Sequence, residues 1–431
     1  MSRKGNYKTG GRSIDIPQTG YYSDCDTLGT ITNRAVFIVT FGCTYNYGDS
    51  RKLYEVLVHQ GCRIVTSPDL ADLVIVNSCA VIGKTARNVL RAITSFNTRD
   101  LYVTGCMPLV EPERILSVSN AVFIPPVCIH EAYRHILTVS SGSPGIVQVA
   151  KGCTGECSYC ITRFARGRLE SFQREEIIRD MERNVCSGAA EIQLTAQDVS
   201  SWGVDIGETL PDLLGDLAEV PGNFRIRIGM MNPNTLKNIV PGLIRVMKCE
   251  KFFTFIHMPV QSGSDEVLGR MMRGYHAADA IAIMESLRSE LPEITLMTDM
   301  IVGFPGETEE DFKASLSLIR EIRPNKVNIT RYSRRPHTRS AGFPDLTDYL
   351  KKTRSRLMNV VAEDIYRDIN EEWLGKIVPF IVTEKIREGS VVTRSPSYLD
   401  IVQKENLPVG TTGLVQLTGE RTYYFLGKRV V

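Results

Sequence analysis

The chain has 431 residues, 43% apolar and 23% charged, with 51 Lys+Arg against 49 Asp+Glu and a formal net charge of +2. That balance describes a soluble globular protein of two or three domains with ample core. No apolar run approaches the ~20 residues of a membrane span, and the polar, basic start "MSRKGNYKTGGRSIDIPQTG" is not a secretory signal.

Residues 1–33 read as a flexible tail. An N-terminal domain is expected over 34–140. There "AVFIVTF" (35–41), "ADLVIVNS" (71–78) and "DLYVTGC" (100–106) have the apolar character of buried parallel strands, and amphipathic stretches near 48–60, 84–95 and 111–118 separate them. This predicts a small doubly wound α/β domain. Over 141–373 the alternation repeats. Strand candidates are 145–152, 191–198, 224–230, 252–260, 294–303 and 326–333, with helical patterns between. Six βα units in a row predict a parallel sheet curled into an incomplete barrel. A long charged amphipathic helix over 346–373 is expected to pack along it. From 374 to 431 short β runs bounded by Gly, Pro and Asn predict a small antiparallel β-barrel of about five strands, an OB-like nucleic-acid module. Residues 331–431 hold 17 Lys+Arg against 12 Asp+Glu, an excess that suits a polyanionic partner.

Without a signal the expected location is cytoplasmic and reducing, where disulfides are not expected. The 11 cysteines, an odd number, then argue for metal or redox work over a disulfide scaffold. Cys153, Cys157 and Cys160 in "KGCTGECSYC" stand at C-x3-C-x2-C, directly after a strand candidate. In parallel α/β folds that end of the sheet hosts ligands. Thiolates are the usual ligands of iron–sulfur clusters, and cubane clusters normally take four. Three would leave one iron open to a small chelating molecule. Zinc is the rival, but structural zinc wants four closed ligands, and no His or Cys follows within the next 25 residues. Three incidental thiols in a Gly-rich loop are the remaining alternative.

This spacing after the first strand of a six-unit partial barrel resembles the radical S-adenosylmethionine (SAM) enzymes. The resemblance implies an open iron chelated by the amino and carboxylate groups of SAM, and cleavage of its C–S bond to a 5′-deoxyadenosyl radical. Tyr159 matches the family position whose backbone lies near the adenine; a structural tyrosine would look the same.

A second set of cysteines falls just after the three N-terminal strands: Cys43 in "TFGCTYNYGDS", Cys79 in "VNSCAVIGKTA" and Cys106 in "VTGCMPLV". Strands of a parallel sheet end on one edge, so these thiols are expected to converge. Buried cysteine as a small apolar residue is the common alternative. Cys25, Cys62, Cys128, Cys186 and Cys249 lack that placement and receive no role.

Two such sets in this order resemble the methylthiotransferases, a radical SAM subfamily. The likeness covers residues 34–431, through the quoted motifs and "TAQDVSSWG", "MPVQSGSDEVLGRMMRGY" and "TDMIVGFPGETEEDF". It implies two [4Fe–4S] clusters and SAM as cofactors, a C-terminal TRAM barrel, and sulfur insertion at an unactivated C–H followed by methyl capping. Under it, Gln197, Asp198, Gln261, Ser262, Arg227 and Gly303 are SAM-side candidates. Arg227 has structural pairing with Asp198 or Asp299 as its alternative. The Leu/Met stripe of "DEVLGRMMRGY" reads as core packing. The partner implied is tRNA, met by a monomer with unidentified sulfur and electron donors. The Gly-Met-x-Asn-Pro pattern in "RIRIGMMNP" resembles the archaeal and eukaryotic branch that acts on N6-threonylcarbamoyladenosine. Isopentenyladenosine in tRNA and a ribosomal-protein aspartate are the alternative substrates, and a non-catalytic iron–sulfur redox sensor is the alternative of another class. Arg334, Arg335 and Arg339 in "YSRRPHTRSA" are candidate RNA contacts or a solvated basic turn. His337 there replaces a glycine of the family pattern.

Overall fold

The structure, a computed structural model, describes residues 8–9, 12–13, 25–140 and 142–430. Most of the tail expected over 1–33 lies outside the described residues. The chain divides into two units, residues 1–140 with 164–166, and residues 141–163 with 167–431.

The first unit is built on a parallel sheet of five strands in the order Arg63–Ile64, Ala35–Thr40, Leu73–Ser78, Asp100–Gly105, Val122–Phe123. The three expected strands form its centre. Leu73–Ser78 is buried at every position, as a central strand covered on both faces must be. The two outer strands have two residues each, too short to show a period. Helix Gly83–Ser95 buries Ala86, Val89 and Ile93, the three-and-four spacing of one helical face. The helix expected over 111–118 is instead two short ones, Met107–Val110 and Pro112–Leu116, divided where Pro112 withholds its N–H. One expectation is overturned. Cys25 and Cys128, which were given no role, form a disulfide with their Cα atoms 5.2 Å apart, linking residues 103 positions apart in sequence.

The second unit begins with six parallel strands in two ladders. Gly145–Gln148, Glu191–Thr195 and Arg225–Arg227 form one, and Phe255–His257, Thr295–Val302 and Lys326–Arg331 form the other. A bridge between Ile226 and Phe252 joins them into the expected incomplete barrel. In Thr295–Val302 burial alternates. Leu296, Thr298, Met300 and Val302 are fully covered beneath helices, while Met297, Asp299 and Ile301 line a more open interior. There the Asp299 carboxylate accepts from the Asn328 amide at 2.6 Å and meets His257 Nε2 at 2.9 Å.

Helix Asp348–Trp373 buries Met358, Ala362, Ile365, Tyr366, Ile369 and Trp373 along one stripe. Its first turns are fixed by ion pairs, Lys351 to Asp345 at 2.7 Å and Arg354 to Glu307 at 2.6 Å. The C-terminal strands Ile377–Arg387, Ser390–Arg394, Asp400–Gln403, Tyr424–Val430 and Thr412–Arg421 close into a barrel. The all-antiparallel expectation fails at one seam, where Asp400–Gln403 pairs with Tyr424–Val430 in parallel. The last strand turns back from Thr412–Arg421 and therefore closes the barrel in the direction of Asp400–Gln403.

This barrel is fastened to the strand starts of the larger one. Thr254 N–H donates to Pro396 O at 2.8 Å, Thr295 Oγ1 to Ser397 O at 2.7 Å and Tyr398 OH to Glu191 Oε1 at 2.6 Å.

Candidate active site

In the second unit the loop bearing Cys153, Cys157 and Cys160 follows the first strand, as expected, and is stitched from three sides. Gly152 has φ +75°, and a Cβ there would stand 1.9 Å from Arg168 O. Only glycine lets the two backbones pass so closely. Its N–H donates to Gln197 Oε1 at 2.6 Å, so the residue expected at the SAM side holds the start of the cysteine loop. Ser158 donates from its N–H to Met271 O and from Oγ to Arg270 O, and accepts at its own carbonyl from Ser340 N–H. Gly155 N–H donates to Cys153 Sγ at 3.2 Å, and a Cβ on Gly155 would meet the sulfurs of both Cys153 and Cys157. Cys153 and Cys157 therefore flank a small-residue turn. Burial pushes the Cys153 thiol up to about 12, with the Asp198 carboxylate adding to it, and burial raises Cys160 as well.

One residue that sequence reasoning missed stands at the centre of this site. Arg273, 7% exposed, donates to Cys157 Sγ at 3.2 Å, to Asn232 Oδ1 at 3.2 Å, to Pro259 O at 2.9 Å and to Tyr275 OH at 3.2 Å. It lies in "MMRGY", inside a motif read as core packing. The available signal was an arginine just past a helix end in an apolar stripe.

The other SAM-side candidates are engaged within the protein. Asp198 is 1% exposed. It accepts from Ser200 Oγ at 2.6 Å, Asn232 N–H at 3.1 Å and Thr235 Oγ1 at 2.7 Å. Burial raises its carboxyl, and these donors with Arg273 oppose the rise. Gln261 is a buried residue with φ +73°, bonded through its backbone to Asp299 and Ile301. Ser262 Oγ shares a 3.3 Å hydrogen bond with Ser315 Oγ. Gly303 N–H donates to Glu307 Oε2 at 2.7 Å. Tyr159 packs edge-on against Phe304, ring centroids 6.3 Å apart. Arg227 lies over the rings of Phe255 and Tyr398, at 5.0 and 5.6 Å.

The loop "YSRRPHTRSA" belongs to the same neighbourhood through Ser340 and Ser158. His337 takes φ +64°, the left-handed conformation that the replaced glycine adopts without strain. Arg335 is 6% exposed, which removes it from a solvated turn. Arg334 donates to Phe343 O, and Arg339 to Met272 Sδ, from exposed positions. Of the barrel aromatics, Phe425 fills the core and Tyr398 packs on Phe253 and Phe255, while Tyr423 and Tyr424 are exposed.

In the first unit the three cysteines each follow one of three adjacent parallel strands, Ala35–Thr40, Leu73–Ser78 and Asp100–Gly105. Gly42, φ +119°, passes so close to Cys79 that a Cβ would stand 2.7 Å from Cys79 Cβ and 3.1 Å from its Sγ. This sets Cys43, the next residue, beside Cys79. Asn46 ties the strand ends together by donating to Phe41 O and Ser78 O, both at 2.9 Å. Cys106 Sγ reaches Asn46 Oδ1 at 3.8 Å. The same oxygen accepts from Arg166 at 3.0 Å, and Arg166 forms a 2.7 Å ion pair with Asp49, both fully buried. Burial raises the Cys106 thiol, and the Arg166 cation opposes that rise. Cys43 caps the 16-residue helix Thr44–His59, whose amino end favours the negative charge of a ligating thiolate.

Both sets fit an iron–sulfur group by donor chemistry and placement. Each offers three sulfurs around glycine turns and one guanidinium beside them. Thiolates on one zinc ion, each about 2.3 Å from it, crowd together. Among the described residues no three Cys, His, Asp or Glu side chains are gathered so as to hold a metal ion. A polynuclear group, with several metal and sulfide atoms between its ligands, needs the wider spacing. Among the described residues no helix is long and apolar enough to cross a membrane.

Residues 147–319 match the Radical SAM superfamily model, and residues 35–124 match Uncharacterized protein family UPF0004. A "Probable threonylcarbamoyladenosine tRNA methylthiotransferase" of Methanothermobacter thermautotrophicus is 36% identical over 86% of this chain and 94% of its own length. A "tRNA-2-methylthio-N(6)-dimethylallyladenosine synthase" of Geobacter sulfurreducens is 35% identical over 80% of this chain and 85% of its own. Among solved structures, the radical S-adenosylmethionine methyltransferase TsrM of Kitasatospora setae, with cobalamin and a [4Fe-4S] cluster bound, aligns with a TM-score of 0.51. It covers 72% of this chain and 74% of that one at 13% identity, a likeness of fold alone.

Proposed function

We propose, for a chain that belongs to the threonylcarbamoyladenosine tRNA methylthiotransferase family of the radical SAM superfamily, that it inserts sulfur at C2 of N6-threonylcarbamoyladenosine beside the tRNA anticodon and caps it with methyl. It works as a cytoplasmic enzyme with SAM and two [4Fe–4S] clusters. The observation that carries this reading is the pair of three-cysteine sets, one at the strand ends of each unit. Cys153, Cys157 and Cys160 would hold the cluster that takes SAM, and Cys43, Cys79 and Cys106 the second. When bound, a cluster with an open iron supplies one electron to SAM and a site for the transferred sulfur.

The chain's own residues then have distinct tasks. Gln197 holds Gly152 and, through it, the course of the cysteine loop. Asp198 and Asn232 anchor Arg273 against Cys157. Tyr159 and Phe304 close the loop's apolar side against water. Gln261, Ser262, Gly303 and Arg227 shape the walls of the barrel. Tyr423 and Tyr424 offer exposed rings for base stacking, and Arg334 and Arg339 offer cations to anticodon phosphates.

Mass spectrometry of tRNA nucleosides from cells with and without the gene tests the proposal. The methylthio form of threonylcarbamoyladenosine should vanish with the gene and its unthiolated precursor accumulate. Loss of methylthio-isopentenyladenosine instead would move the substrate to the rival adenosine, and an unchanged profile would refute both. SAM cleavage to 5′-deoxyadenosine by the anaerobically reconstituted protein separates an enzyme from a redox sensor.

A further inference from the structure

We propose that Arg273 is a positioning residue that fixes Cys157 and raises the readiness of the cluster on Cys153, Cys157 and Cys160 to accept an electron. The inference rests on the reading above.

The geometry begins with where the chain puts this arginine. Helix Asp265–Met271 ends at Met272, whose φ of +58° turns the backbone sharply and sends Arg273 inward. All three guanidinium nitrogens are used. Nη1 donates to Cys157 Sγ, Nη2 to Asn232 Oδ1 and Pro259 O, and Nε to Tyr275 OH. Partners in three directions hold the planar fork so that one N–H points at a sulfur.

Burying a guanidinium is costly unless an opposite charge compensates it. Arg273's hydrogen-bond partners are a thiol sulfur, an amide oxygen, a carbonyl and a phenol, and among the described residues none is a carboxylate. Asp198, one hydrogen bond further out through Asn232, and Asp299 act on this cation only at a distance, without bonding it. Of the partners that Arg273 does bond, the Cys157 sulfur is the one that ligation would make anionic, so thiolate ligands and their cluster would bring a negative charge into direct contact with it. Asn232 ties both ends, its N–H on Asp198 and its side-chain oxygen on Arg273.

The functional consequence follows from electrostatics. One-electron reduction adds negative charge to a cluster and draws no atom or proton from the protein. A fixed cation with an N–H on a ligand sulfur stabilises the reduced form more than the oxidised one, so it raises the potential. An arginine keeps that charge at any working pH. Lysine keeps the charge on a flexible stem; glutamine keeps a donor and loses the charge.

The test uses the full-length chain with Cys43→Ser, Cys79→Ser and Cys106→Ser, which leaves one cluster to observe. This parent, and the same chain with Arg273→Lys or Arg273→Gln, are reconstituted anaerobically with iron and sulfide. Each is titrated with dithionite, the electron source, while the reduced cluster is followed by electron paramagnetic resonance. At a fixed poise near the parent's midpoint, Arg273→Gln should show a reduced-to-oxidised ratio about tenfold lower, a midpoint about 59 mV more negative. Arg273→Lys should stay near the parent. An unshifted Arg273→Gln midpoint with full iron content overturns the proposal. So does loss of iron from both variants, since Arg273 would then be a folding residue. A parent that holds no cluster overturns the functional reading itself, and the inference with it.

Discussion

Replacing Gly152 by alanine perturbs one atom at the entrance of the cysteine loop, and its cost can be worked from the structure. With φ at +75°, alanine in this left-handed region costs about 1–2 kcal/mol. The new Cβ would stand 1.9 Å from Arg168 O and 2.4 Å from Arg168 C, where ordinary contact begins at 3.4 Å. The backbones must part by about 1.5 Å, the difference of those two distances. Both are backbone atoms of the turn that returns to pair Glu170–Ser171 with Ala150–Lys151, so no side chain can swing away. Overpacking of this kind costs about 1–3 kcal/mol, giving about 2–5 kcal/mol together. Gly188→Ala is the internal control. Its φ is +90°, at the end of helix Arg174–Cys186, but a Cβ there meets nothing within 4 Å, so only the conformational cost of about 1–2 kcal/mol remains. Anaerobic urea denaturation of the two variants should separate these costs. Iron analysis should show Gly152→Ala losing about half its iron, because Cys153 moves with Gly152, while Gly188→Ala keeps all of it. If Gly152→Ala matches Gly188→Ala in stability and iron, the close passage does not hold the loop.

Cys157→Ala should abolish SAM cleavage while the iron of the first unit stays, whereas Cys79→Ala should still cleave SAM yet form no methylthio product. Chromatography of 5′-deoxyadenosine alongside nucleoside mass spectrometry reads both, and retained cleavage in Cys157→Ala would break the assignment. Asp49→Ala strands the buried Arg166 cation and should destabilise the first unit by about 3–5 kcal/mol, measured as a lowered urea midpoint; a loss under about 1 kcal/mol would mean the pair is dispensable. Burial pushes the Asp299 carboxyl up, but His257 and the Asn328 amide outweigh it and hold it below the ordinary carboxylate value. The stability this supplies is complete above about pH 4 and disappears as pH falls through the lowered value. Asn328→Ala removes one donor, so acid unfolding followed by circular dichroism should begin at higher pH; an unmoved transition would show that the bond has no weight.

The regular elements were legible because they follow from periodicity. Three apolar runs gave the centre of the first sheet, and the alternation of strand and helix over 141–373 gave the six-stranded partial barrel. The cysteine positions were legible too, since Cys43, Cys79 and Cys106 each follow a separate parallel strand and Cys153, Cys157 and Cys160 share one close spacing after a single strand. What escaped depends on distance in space. Arg273 looks in sequence like one polar residue in a Met-rich stripe; its role arises only because a left-handed Met272 turns it toward Cys157. Asp198 reads from sequence as a SAM-side candidate, but its three donors include Asn232 and Thr235, 34 and 37 residues away. The Cys25–Cys128 bridge joins two cysteines with no positional pattern, so only folding brings them together. The two-residue edge strands and the parallel seam of the small barrel are set by partners, and no local preference announces them.

Tyr398 reaches out of the small barrel to Glu191, and neighbouring backbone groups grip the starts of the fifth and fourth strands beside it. The terminal module is bolted down rather than hinged. Under the proposed function, a tRNA seated on it would be held at a set span from the strand ends opposite, and the module would then act as a ruler that selects one position along the polymer by reach alone.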